Sequence, residues 1–125
     1  MEIRDAHFPG RAPLDAYGNG GFRFAKMSHQ GALLCVPSGI YGWDLTDPSE
    51  FSRQAFSKVF EEMADIEVLL VGTGMDLVPL AADLKDKFRE VGILADPMST
   101  GAAVRTYNVL LSEDRAVAAA LLAVD

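Results

Sequence analysis

The stretch that most narrows the choice of fold runs from Ile66 to Ala95. Ile66-Glu67-Val68-Leu69-Leu70-Val71 is short, β-rich and almost continuously apolar, as expected of a strand covered on both faces. Gly72-Thr73-Gly74 interrupts it. From near Pro79 onward, Ala81, Leu84, Phe88 and Val91 recur at helical spacing, while Asp83, Lys85, Asp86, Lys87, Arg89 and Glu90 take the opposite face. Gly92 stands where a left-handed C-terminal cap is wanted, and Ile93-Leu94-Ala95 returns as a strand. Strand, helix and strand within about 30 residues is the length of a βαβ unit, whose two strands are expected to be parallel.

A third helix is expected from Gly101 to about Ser112, capped by Ser99 or Thr100, with Ala103, Tyr107, Leu110 and Leu111 on its apolar side. The tail from Arg115 to Val124 has two readings. Its alanines favour helix, while its length and position after a helix suit a buried last strand.

Upstream, Pro9, Gly10, Pro13, Gly18, Asn19 and Gly20 punctuate the chain too often for a helix. Phe22 to Met27 reads as a strand, Ser28-His29-Gln30-Gly31 as a hairpin-like turn, Ala32 to Val36 as the returning strand and Ile40 to Trp43 as a third. This predicts an antiparallel meander. Asp47-Pro48-Ser49-Glu50 is a compact capping-box signal, and Phe51, Ala55, Phe56, Val59, Phe60 and Met63 behind it predict one amphipathic helix.

Composition bounds the function. Eleven basic against eighteen acidic residues give a net charge of −7, which argues against a nucleic-acid surface and against docking on an anionic membrane by charge alone. One cysteine, Cys35, allows no internal disulfide. There is no signal-peptide pattern at Met1-Glu2-Ile3-Arg4-Asp5 and no run near the ~20 apolar residues that span a bilayer, so a cytoplasmic location is expected. Oligomeric state is left open.

If the strands at Ile66 and Ile93 are neighbours, the Gly72-Thr73-Gly74 loop and the Ser99-Thr100 loop end on one edge of the sheet, where open α/β sheets bind ligands. The Gly-Thr-Gly loop is neither a Walker A loop nor a dinucleotide fingerprint, and a tight turn that needs glycine dihedrals explains its glycines better than a ligand does. Arg105 and Asn108, three residues apart, share a helix face. Together they suit a carboxylate, a phosphate or a backbone segment, or else an internal ion pair with Asp96 or Glu113 and a loop carbonyl. Gly72, Thr73, Gly74, Ser99, Thr100, Arg105 and Asn108 are therefore the candidate ligand-binding residues. His7, His29 and Cys35 form no catalytic pattern, Asp76 and Asp96 give only a thin signal, and neither metal nor cofactor is expected.

Tyr17-Gly18, Gly20-Gly21-Phe22-Arg23, Gly72-Thr73-Gly74, Arg105-Thr106-Tyr107-Asn108, Glu113-Asp114-Arg115 and Val117-Ala118-Ala119 together resemble the MTH-type domain family of unknown function. The resemblance covers nearly the whole chain. It implies one α/β domain with a three-layer MTH-type fold. The expected mixed sheet combines the N-terminal antiparallel meander with a C-terminal βαβ-type portion, and a strand from Ala116 to Val124. The family includes a mitochondrial complex I assembly factor and the adipogenesis-associated MTH-domain protein, so the resemblance implies a non-catalytic binding or assembly role with a protein partner. The alternative from the residues themselves is an enzyme or sensor for a small anionic ligand, held by an Arg105 clamp and by the positive N-terminus of the third helix. Members often carry Met-Asp-Thr where this chain has Met98-Ser99-Thr100, and Cys where it has Val104. A mechanism that needs that carboxylate or thiol does not carry over.

Overall fold

A computed structural model describes residues 7–125. Nine strands and three α-helices occur among the described residues: β1 (His7–Pro9), β2 (Leu14–Gly18), β3 (Gly21–Phe24), β4 (Met27–Gln30), β5 (Ala32–Val36), β6 (Gly39–Trp43), α1 (Ser57–Glu61), β7 (Val68–Gly72), α2 (Ala82–Glu90), β8 (Leu94–Met98), α3 (Thr100–Ser112) and β9 (Val117–Leu121). Six strands form a mixed sheet in the order β1-β6-β5-β9-β7-β8, and β2-β3-β4 form a separate antiparallel sheet. β7 pairs in parallel with both β8 and β9, while β5 pairs antiparallel with β9 and β6.

The βαβ unit is where its pattern placed it. β7 and β8 are parallel neighbours in register from Val68↔Leu94 to Gly72↔Met98. α2 begins at Ala82 rather than near Pro79, because Ala81 is still extended at ψ 143° and its side chain faces water. Leu84 and Phe88 are buried beneath the helix. At its end Gly92 takes φ +83°, and the Ile93 and Gly92 amides donate to the Phe88 and Arg89 carbonyls. This is the paired-bond cap that a left-handed residue makes possible.

The alanine-rich tail is a strand, β9, and all five of its residues are buried between β5 and β7. Here tertiary context overrides helix propensity. Alternate residues serve opposite cores: Ala118 and Ala120 meet Phe56, Val59, Leu84 and Phe88, while Val117, Ala119 and Leu121 meet Phe22, Phe24, Ala103, Val104 and Tyr107. The small side chains leave room for rings above them. Phe56 and Phe60 pack on Phe88 at centroid distances of 5.3 and 4.8 Å. The layers are α1 with α2, the six-stranded sheet, and α3 with the small sheet.

Two sequence expectations are corrected. The hairpin turn lies at Ala25-Lys26, with φ of 48° and 63°, and not at residues 28–31. Residues 27–30 are β4, so His29 is buried rather than exposed, and the meander is divided between two sheets. The long helix over residues 51–63 is also broken. Its capping box is present, with the Ser49 amide donating to Asp47 Oδ1 (2.9 Å) and the Asp47 amide to Glu50 Oε1 (3.0 Å), but it starts only a 3-10 turn at Pro48–Glu50. Phe51 is extended, α1 covers five residues, and a second 3-10 turn spans Met63–Asp65. Phe56, Val59 and Phe60 still face the core, whereas Met63 faces water.

Candidate functional site

β7 leads to α2 on one face of the sheet and β8 leads to α3 on the other, so the two chains part at the carboxyl ends of adjacent parallel strands. The candidate residues meet there, bonded to one another. The Thr73 amide donates to the Met98 carbonyl (2.9 Å) and the Thr100 amide to the Gly74 carbonyl (2.8 Å). Thr100 Oγ1 donates to the Leu122 carbonyl (2.8 Å) and accepts from the Gly74 amide (3.1 Å). The Leu122 amide donates back to the Gly72 carbonyl (3.0 Å), tying β9 into the junction. Gly72 is needed for this approach: a Cβ there would sit 2.9 Å from Leu121 Cδ2 and 3.1 Å from Thr100 Cα. Thr73 and Thr100 are buried, so their satisfied hydroxyls hold the junction in one arrangement.

Thr73 also fastens the loop that follows. Its hydroxyl donates to the Asp76 carbonyl (2.6 Å) and accepts from the Val78 amide (3.0 Å). On this anchored base Met75, Leu77 and Val78 are exposed by 72%, 57% and 38%. Asp76 is exposed among them, and Asp96 is exposed on β8.

Ser99 caps α3, accepting from the Ala102 amide at 3.4 Å. Asn108 binds both backbone groups of Leu14, accepting from its amide and donating to its carbonyl, each at 2.8 Å. The side-chain amide thus stands in for a neighbouring strand along β2. Arg105 is exposed and makes no ion pair among the described residues; its Nη1 lies 3.3 Å from the Tyr17 hydroxyl. Tyr17, on β2, lies over the start of α3 because residue 101 is glycine: a Cβ there would come within 2.5 Å of Tyr17 Oη. The structure therefore unites Gly72, Thr73, Gly74 and Thr100 and sets Arg105 and Asn108 against β2. Sequence reasoning missed Tyr17 and the apolar loop. The available signal was a run of large apolar residues, Met75, Leu77 and Val78, in a segment with neither strand nor helix periodicity.

Cys35 and Tyr107 are buried and face one another. Burial pushes the thiol well above its ordinary range, and burial followed by the neighbouring thiol does the same to the phenol. Both stay neutral, which makes Cys35 a packing group rather than a nucleophile. His7 stacks obliquely near Tyr41, with ring centroids 5.4 Å apart, and His29 Nε2 lies 3.2 Å from the Ala32 carbonyl. Among the described residues, no group of three or more His, Cys, Asp or Glu side chains is placed to hold a metal ion, and no helix is long and apolar enough to cross a membrane.

A mixed sheet with two parallel crossovers diverging at one junction, backed by a small antiparallel sheet, is the Mth938-like α/β fold. A Bordetella pertussis protein described as a Mth938-like domain superposes with a TM-score of 0.78 at 26% identity, over 98% of this chain and 92% of that one. The chain belongs to the family described as protein of unknown function (DUF498/DUF598), whose profile matches residues 14–122. It is 39% identical to an uncharacterized Rhodobacter capsulatus protein over 98% of this chain and 93% of that one. A crystal structure described as an outer membrane protein from Bartonella henselae is 61% identical, with a TM-score of 0.92 over 95% of this chain and 100% of that one. The mouse NADH dehydrogenase [ubiquinone] 1 alpha subcomplex assembly factor 3 is a more distant relative, 25% identical over 98% of this chain. The chain spans 66% of that protein's length.

Proposed function

We propose that this chain is a non-catalytic binding domain that holds a protein partner at the surface around the start of α3, in the manner of an assembly factor. The observation that carries the reading is the loop from Gly74 to Pro79, which displays Met75, Leu77 and Val78 to water while Thr73 fixes its base. Exposed apolar groups on a preordered loop bind with little further loss of conformational freedom. Tyr17 on Gly101 and the exposed Arg105 flank the same helix start, and tyrosine, arginine and methionine are the residue types interfaces favour. The relationship to assembly factors supports the same reading. In quantitative capture from the native cell, Leu77→Asp and Arg105→Ala are expected to cut recovery of a stoichiometric partner about tenfold, with circular dichroism unchanged. Undiminished recovery with both variants overturns the proposal.

A second reading rests on Arg105 alone, whose exposed guanidinium meets the Tyr17 hydroxyl but no carboxylate among the described residues, and so could clamp a small anion. A thermal-shift screen over carboxylates, phosphates and nucleotides tests it, because binding to the folded state raises apparent stability. A stabilising ligand whose effect is lost in Arg105→Ala supports this reading, and no shift across the three classes removes it. A cytoplasmic location belongs to the proposal as well. Cell fractionation decides between it and the outer membrane named for the Bartonella relative.

A further inference from the structure

A groove of about 660 Å³ lies between α2 and the edge strand β8. Ile93, Leu94 and Ala95 line one side, Ala82, Lys85 and the mutually ion-paired Asp86 and Arg89 line the helix side, and Glu67 closes the end where β8 begins. Among the described residues, β8 has a neighbour on one side only. The Leu94 amide donates to the Glu67 carbonyl and the Met98 carbonyl accepts from the Thr73 amide, so residues 94, 96 and 98 turn their backbone groups toward β7. Because backbone groups alternate along a strand, Ala95 and Pro97 turn theirs outward. Ala95 offers an N–H and a C=O. Pro97 offers a C=O only.

That inventory discriminates between occupants. A second copy pairing its own β8 antiparallel about Ala95 would set Pro97 against Ile93. Pro97 has no amide, and the Ile93 amide is already given to the Phe88 carbonyl at 2.9 Å. Only the two bonds between the Ala95 residues would remain, and two chains of net charge −7 would be brought together. An unrelated extended segment has amides of its own for the Ala95 and Pro97 carbonyls and a carbonyl for the Ala95 amide. Its alternate side chains would enter the groove, as in other strand-addition sites between a sheet edge and a helix. Leu94, 66% exposed, supplies apolar surface at the edge, and among the described residues neither Lys85 nor Glu67 is ion-paired.

We propose that the α2–β8 groove binds an extended peptide segment of another protein by strand addition to β8, with an acidic side chain of the peptide on Lys85. The site is separate from the loop surface described above and does not depend on it. The experiment selects random heptapeptides displayed on phage against the intact protein, then titrates the best synthetic peptide into nitrogen-15-labelled protein. The expected result is a shifted Ala95 amide whose hydrogen exchange slows at least tenfold. Affinity is expected to fall tenfold or more in Ala82→Trp, which fills the groove from the helix without touching the edge backbone. It falls at least threefold in Lys85→Glu and is unchanged in Leu77→Asp. Failure to enrich any peptide, or a selected peptide that binds Ala82→Trp as tightly as the parent, overturns the proposal.

Discussion

Gly72 and Gly101 are both crowded, but by different kinds of atom. Around Gly72 the crowding atoms are Thr100 Cα, the hydrogen-bonded Thr100 hydroxyl and the buried Leu121 side chain, which have nowhere to go. Around Gly101 they belong to the ring end of Tyr17, which is 41% exposed and free to swing away. Gly72→Ala is therefore expected to destabilise the fold by about 1–3 kcal/mol through overpacking. Gly101→Ala should stay within about 1 kcal/mol of neutral, since alanine's better helix propensity offsets the lost ring contact. Urea unfolding of the two variants checks the contrast. At Cys35, burial raises the thiol's affinity for its proton in the folded state. The stability this contributes is complete below the unfolded thiol value of about 8.5 and declines as pH rises above it. A disulfide reagent at pH 8 is expected to leave the native thiol unmodified and to label it only in denaturant. Rapid labelling of folded protein would contradict the packing role.

Among the elements, β7, α2, β8 and α3 were legible because each bears a period and a boundary residue: the apolar run at Val68, the Leu84/Phe88 stripe, Gly92 and the Ser99 cap. α1 was misread because Asp47-Pro48-Ser49-Glu50 announces a first turn without showing whether a second follows, and the same apolar spacing serves a broken helix whose rings reach the core. The turn at Ala25-Lys26 lacked the glycine or asparagine that positive φ normally demands, so nothing local marked it. For β9 the deciding factor was lateral. Only neighbours on both sides make a run of alanines a strand, and local composition does not report neighbours. Of the candidate site, the meeting of the Gly72 and Thr100 loops was foreseeable from the βαβ unit. The internal bonding of Thr73 and Thr100 was not, since it depends on where the Leu122 carbonyl arrives. At this scale Gly92→Ala is expected to cost about 1–2 kcal/mol, because an L side chain is strained at φ +83°. Thermal unfolding measures it, and a neutral result would mean that α2 ends without its left-handed cap.

For the whole molecule, the two cores on opposite faces of one sheet make the junction between β7, β8 and β9 a fixed platform. The loop of Met75, Leu77 and Val78 rises from that platform rather than from a free end. The central claim is that this loop is the partner-binding surface. Crosslinking in the cell tests it most directly: a photoreactive amino acid replaces Met75 in one strain and the exposed Glu113, at the far end of α3, in another. The account predicts one discrete adduct from position 75, lost when Leu77→Asp is added, and none from position 113. No adduct at position 75, or the same adduct from both positions, would contradict it.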